Sequence, residues 1–163
     1  DANGQQHRNV CLIPTSAHGT NPASAVMAGM KVVPVKTLAD GTVDLAALDR
    51  MLAGDGGTAL VSVMLVNNET GVIQPIAEAA RRVRAAGGWL HVDAIQSAGK
   101  IAVDMRTLDA DTLTLSAHKL GGPPGVGALV LREGLDPRRS SAAAVSVGPL
   151  LPSFTVSKKR CRL

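Results

Sequence analysis

Short apolar runs alternate along the chain with stretches in which apolar residues recur every three or four positions. Residues 10–13 form an apolar run that stops at Pro14, the pattern of a buried strand. Pro22 suits the opening of a helix that runs to about Ala28 and stops at Gly29. Residues 31–35 predict a second strand, and Asp40-Gly41 a turn. Leu45, Leu48 and Leu52 then repeat at helical spacing behind Asp44, a good N-cap residue. Residues 58–66 are almost unbroken apolar and rich in β-branched side chains, as in a strand covered on both faces. Ile76, Ala79, Ala80 and Val83 predict the inner stripe of a helix that ends at Gly87-Gly88. Strands over 89–92, 113–115 and 126–131 follow. This alternation with short connections predicts an α/β fold, a mostly parallel sheet flanked by helices. From about Arg138 the pattern breaks up, and the chain has no internal repeat.

Composition narrows the picture. A chain of 163 residues that is 45% hydrophobic and 18% charged reads as one globular domain. Trp89 and Phe154 are its only aromatic residues apart from histidine, so the core must be aliphatic. The net charge of +4 is spread out, except for Lys158-Lys159-Arg160-Cys161-Arg162. That run reads as a solvated tail, and no aromatic residues interleave with it to stack bases, so no nucleic-acid partner is expected. No apolar run is long enough to cross a bilayer, and the amino-terminal residues are polar, so no membrane association is expected either. Cys11 and Cys161 form neither a metal pattern nor a disulfide framework, which points to a reducing, cytoplasmic compartment and no metal. Cys11 falls in a strand and reads as core.

The polar residues gather where the strands end. Asn67-Asn68-Glu69 follows one strand, Asp93 ends the next, and Ser116-Ala117-His118-Lys119 follows a third. In parallel α/β sheets, ligands bind beyond the carboxyl ends of the strands. A carboxylate at the end of a buried strand is costly unless compensated, so Asp93 should have a cationic partner. The residue set suits pyridoxal 5'-phosphate (PLP). That cofactor needs a lysine for its aldehyde, a carboxylate for its ring nitrogen and hydroxyl or imidazole donors for its phosphate. Lys119, Asp93, Ser116 and His118 supply these types, and Gln96 can donate to the phenolate oxygen.

His91-Val92-Asp93-Ala94-Ile95-Gln96-Ser97-Ala98-Gly99-Lys100 and Ser116-Ala117-His118-Lys119-Leu120-Gly121-Gly122-Pro123 resemble the class V aminotransferase group of fold-type I PLP enzymes. Asn67-Asn68-Glu69-Thr70-Gly71-Val72-Ile73-Gln74-Pro75-Ile76 is similar to a cysteine desulfurase signature. The resemblance covers about residues 40–132. It implies that Lys119 forms the Schiff base and moves protons on the substrate. It also implies that Asp93 pairs with the pyridinium, Gln96 with the phenolate oxygen, and Ser116 and His118 with the phosphate. Asn68 would lie near the phenolate oxygen and the substrate carboxylate, or else serve as a turn former before Gly71. The implied reaction removes sulfur from L-cysteine, leaving alanine and a persulfide, in a homodimeric parent enzyme that passes sulfur to an acceptor protein.

Residues 7–36 differ. His7-Arg8-Asn9-Val10-Cys11-Leu12-Ile13-Pro14 and Ser16-Ala17-His18-Gly19-Thr20-Asn21-Pro22 resemble glycine decarboxylase, the P-protein of the glycine cleavage system. That resemblance implies glycine as the alternative substrate. His18 falls at about the spacing before Asp93 where cysteine desulfurases carry a ring-stacking, catalytic histidine. It reads equally as a loop histidine capping the next helix. The chain therefore divides into a partial PLP-binding large domain, 1–137, and an unmatched tail, 138–163. Within the first, 1–39 is glycine-decarboxylase-like and 40–137 desulfurase-like, as in a mosaic or chimera. The family's phosphate-gripping Gly/Thr loop, its mobile-loop cysteine and its substrate-binding arginine have no counterpart here. Pro124 replaces a usual lysine. For the isolated chain, an inactive fragment is the expectation. His91 reads as core or as support for the site.

Overall fold

The computed structural model describes residues 7–54 and 58–135. The tail, with Cys161, Phe154 and the basic run, lies outside the described residues. Six strands form one sheet in the order β2-β1-β3-β4-β5-β6. The strands are β1 (Val10–Pro14), β2 (Lys31–Val35), β3 (Thr58–Met64), β4 (Trp89–Asp93), β5 (Thr112–Ser116) and β6 (Gly127–Leu131). The first five pair in parallel, and β6 returns antiparallel to β5. The helices are α1 (Thr20–Met27), α2 (Leu45–Leu52), α3 (Ile76–Ala85) and the single turn α4 (Met105–Leu108). Among the described residues, no helix is long and apolar enough to cross a membrane.

The direction of travel decides which face each helix covers. The chain moves one way from β1 to β2, then reverses and steps through β3, β4 and β5. Right-handed crossovers therefore put α1 on one face and α2 and α3 on the other. On the α2/α3 face, Leu12, Val61, Val63, Leu90, Val92 and Leu113 pack against Leu48, Ile76, Ala79, Ala80 and Val83. On the α1 face, Cys11, Ile13 and Leu60 pack with Ala25 and Met30. Cys11 is a core residue, and burial pushes its thiol up to about 12.

Local chemistry explains most of the boundaries. The Asp44 carboxylate accepts the Ala47 N–H at 2.9 Å and caps α2. Helix α1 begins two residues before Pro22, which its first turn tolerates because a proline there forfeits no helical hydrogen bond. Pro34 is accommodated because β2 is an edge strand. One turn of helix, α4, was not expected from the sequence; Asp104 caps it and Asp109 closes it at φ 54°.

Two features of the β4–β5 pair carry consequences. At the amino end, buried Asp111 accepts the Leu90 N–H at 2.8 Å and pairs with Arg132 at 2.8 Å and Arg84 at 3.7 Å. On the α1 face the pair is polar. His91 Nδ1 lies 2.8 Å from the Thr112 hydroxyl, and its Nε2 lies 3.3 Å from that of Thr114. Burial outweighs the attraction of Asp93 and lowers the His91 pKa to about 4, so the ring is neutral.

Replacing Asp111 by Ala strands the Leu90 N–H, takes the carboxylate from Arg132 and removes one of two from Arg84, and should cost about 2–3 kcal/mol in urea unfolding. Asp109→Asn, which neutralises an exposed partner of Arg84 and keeps a residue type that tolerates φ 54°, should cost under about 1 kcal/mol. Equal losses would contradict the assignment. For His91, the unfolded chain gains a proton near pH 6.5 that the folded chain refuses until about pH 4. Stability should therefore fall as pH drops across that window. In His91→Gln the same titration of urea midpoints should be flatter, and parallel curves would refute it.

Candidate functional site at the carboxyl ends of the strands

Parallel pairing lines up the ends of β1, β3, β4 and β5 along one edge. Met64, Asp93 and Thr114 are register partners across three strands. Strand alternation puts Trp89, His91 and Asp93 on one face of β4 and Leu90 and Val92 on the other. Asp93 therefore points to the α1 face rather than into the aliphatic core.

Asp93 is 4% exposed. Its Oδ1 accepts the Ile95 N–H at 3.0 Å, and its Oδ2 accepts from Asn21 Nδ2 on α1 at 3.3 Å. Both donors are neutral, and the carboxylate has no ion pair among the described residues. The cationic partner expected for Asp93 is therefore not a described side chain of this chain. The adjacent imidazole that might have served, His91, is neutral. A buried carboxylate balanced only by neutral donors fits a ligand that brings its own positive charge.

Beyond β5, residues Ala117–Lys119 form a single 3-10 turn. The Ala117 carbonyl accepts from the N–H groups of Leu120 and Gly122 at 2.8 and 2.9 Å, while Ala117 N–H donates to Val126 O at 2.9 Å. A Cβ on Gly122 would lie 2.9 Å from Ala117 Cβ, so the turn can close this tightly only over glycine. Lys119 and His118 are exposed at the tip. Ser116 Oγ and His118 Nδ1 share a hydrogen bond of 2.7 Å. The structure thus groups Asp93 and Gln96 at the end of β4 with Ser116, His118 and Lys119 at the end of neighbouring β5.

The other two predicted residues sit beyond β1 and β3, the pair at which the strand order reverses. The His18 backbone N–H contacts Met64 Sδ at 3.1 Å, beside Asp93 in register. Its Nδ1 bonds the Thr20 hydroxyl at 2.8 Å and accepts the Thr20 N–H at 3.2 Å, so the ring also organises the start of α1. Asn68 lies in the turn before Gly71, closed by Gly71 N–H donating to Asn67 O at 3.1 Å, and the side chain that braces this turn belongs to its neighbour. Buried Asn67 accepts from Glu69 N, Thr70 N and Thr70 Oγ1, and donates to Ser16 O at 2.7 Å. Asn68 is exposed. A recess of about 10 Å³ between these ends is lined by Ser16, Ala17, Met64 and Asn67, too small for any organic ligand. Sequence reasoning missed Asn21 and Asn67. Asn21 had a signal, a polar residue in the first turn of a helix that faces the sheet.

The Aminotransferase class-V family model matches residues 3–144 and runs through residues 35–41, where the two sequence resemblances meet. Cysteine desulfurase 2 of Trichormus variabilis (strain ATCC 29413 / PCC 7937) is 47% identical over 107 residues, covering 66% of this chain and 26% of that protein. Cysteine desulfurase IscS of Anaeromyxobacter sp. (strain Fw109-5) is 49% identical over 104 residues, covering 64% and 25%. Among solved structures, the NifS-like protein from Rickettsia africae superposes with a TM-score of 0.69 at 29% identity, covering 77% of this chain and 35% of that one. The cysteine desulfurase CsdA from Escherichia coli gives 0.67 at 27% identity, covering 73% and 30%. The chain spans about a quarter of the length of the curated relatives it matches. With most of its length matched by that family model, and a fold that superposes on solved relatives, the chain belongs to the class-V aminotransferases.

Proposed function

We propose that this chain is the cofactor-anchoring part of a PLP-dependent cysteine desulfurase. The observation that carries this reading is the buried Asp93 carboxylate, held by neutral donors only, one strand away from the turn that presents Lys119. The desulfurase relatives favour the substrate assignment.

Each residue has a role that its own chemistry suits. Asp93 would hold a proton on the cofactor's ring nitrogen, since a buried anion favours the cationic form of its partner. Asn21 would keep the carboxylate turned toward the α1 face. The Lys119 amine would attach the cofactor aldehyde and, once released, carry a proton at its Nζ between substrate positions. Ser116 Oγ and His118 Nδ1 share a hydrogen bond at 2.7 Å, which would hold the imidazole with its Nε2 turned outward to meet a phosphate oxygen. His18 would lie over the ring, and Asn68 would approach the substrate carboxylate. When bound, PLP supplies an electron sink that weakens bonds at the amino acid's carbons.

The sulfur acceptor must be another thiol. Cys11 is fully buried with its pKa pushed up to about 12, so it is a protonated core residue rather than a nucleophile. In the proposed reaction the C–S bond of cysteine breaks, an acceptor thiolate forms the S–S bond of a persulfide, and alanine leaves. That acceptor, and the second protomer of a homodimer, come from the rest of the parent enzyme or its partners.

Incubation with PLP followed by borohydride should leave a phosphopyridoxyl adduct on Lys119, located by peptide mass spectrometry. Lys119→Ala should give none, and an adduct spread over several lysines would defeat the assignment. Asp93→Asn should weaken PLP binding by about ten- to a hundredfold, from the loss of a charged hydrogen bond. An unchanged Kd would show that Asp93 does not meet the cofactor. Release of sulfide and alanine from L-cysteine, with glycine-dependent CO2 as the contrasting assay, then tests the substrate.

A further inference from the structure

The turn that follows β4 contains an interaction with no role in the reading so far. Residues 95–100 form a run of turns. Ser97 and Ala98 N–H both donate to Ala94 O, at 3.1 and 3.0 Å, and Lys100 N–H donates to Ser97 O at 3.0 Å. This winding brings the side chains of Gln96 and Lys100 together. Lys100 Nζ donates to Gln96 Oε1 at 3.0 Å. Gly99, at φ +75°, closes the turn, and a Cβ there would lie 2.7 Å from Leu120 Cδ2. The turn therefore packs against the residue that follows Lys119.

A primary carboxamide is symmetric in shape but not in function, with an acceptor at one end and two donors at the other. An ammonium group has donors only. Lys100 can thus bind only the carbonyl end of Gln96, and doing so fixes the amide's sense. Without it, Gln96 is free to present either end. From this pairing we infer that Lys100 is a positioning residue: it holds the Gln96 carboxamide with its Nε2 donor end turned to an anionic oxygen of the ligand attached at Lys119. The inference rests on the reading of that site as a PLP site, where the oxygen is the ring phenolate. The titratable groups on the two turns that meet here are Asp93 and Lys100 on one side, and His118 and Lys119 on the other.

The readout is the pH midpoint of the visible band of the PLP-loaded chain. A donor on the ring oxygen weakens its hold on the proton it shares with the lysine-derived nitrogen, so the band titrates at lower pH. Lys100→Met should raise the midpoint by about half to one unit, the size expected for losing one charge-assisted hydrogen bond. Lys100→Arg, also a donor only, should restore it. In a Gln96→Ala background, Lys100→Met should produce no further shift. A shift that persists without Gln96 would mean that the ammonium acts through space and not through the amide. No shift in Lys100→Met would overturn the inference, as would failure of Lys100→Arg to rescue. Lys100 is exposed, so urea midpoints should stay within about 0.5 kcal/mol of the parent in each Lys100 variant. Absence of any visible band in the parent chain would sink the PLP reading itself, whereas a band indifferent to Lys100 sinks only the role of Lys100.

Discussion

Parallel registration of β3, β4 and β5 is the constraint on which the site depends. Because side chains alternate along a strand, a slip of one residue in β4 would turn Asp93 into the aliphatic layer and expose Leu90 and Val92. Leu90 and Val92 are wholly buried against α3, so that slip is strongly opposed. The hydrophobic face thereby fixes the position of the polar one. Trp89, His91 and Asp93 follow as a consequence, and so do Thr112, Thr114 and Ser116 alongside them.

Charge is distributed across the sheet with the same economy. At the amino edge of β4 and β5, Arg84 and Arg132 converge on Asp111. At the carboxyl edge Asp93 receives two neutral donors, and the imidazole two residues away stays uncharged. One buried aspartate is neutralised within the protein and the other is left open to a cation from outside. The two differ in which edge they occupy.

Much of this was legible in the sequence because periodicity and punctuation report local physics. The stripe Ile76, Ala79, Ala80, Val83 became the buried face of α3, and Asp44 became the expected cap of α2. The runs at 89–92 and 113–115 became strands, and the polar residues after them fell on one edge. The candidate residues Asp93, Ser116, His118 and Lys119 were singled out by their position at or after such strands, where the structure also places them. What escaped was non-local or short. Asn21 reaches Asp93 across an interval of chain that no local pattern spans. Asn67 and Asn68 are chemically identical, and only the turn geometry says which is buried. The single turn α4 is too short to carry a period.

The antiparallel return of β6 has an effect on Lys119 beyond closing the sheet. Ser116 pairs with Gly127, so both ends of the intervening segment are anchored to β5 and β6. A tip held at both ends samples far fewer arrangements than a free strand terminus, because closing the loop has already removed much of its conformational entropy. Ala117 O and the glycine at 122 narrow it further. The flexible amine of Lys119 is thus mounted on a backbone that has little freedom left to lose when a ligand arrives, and attachment there forfeits correspondingly little entropy.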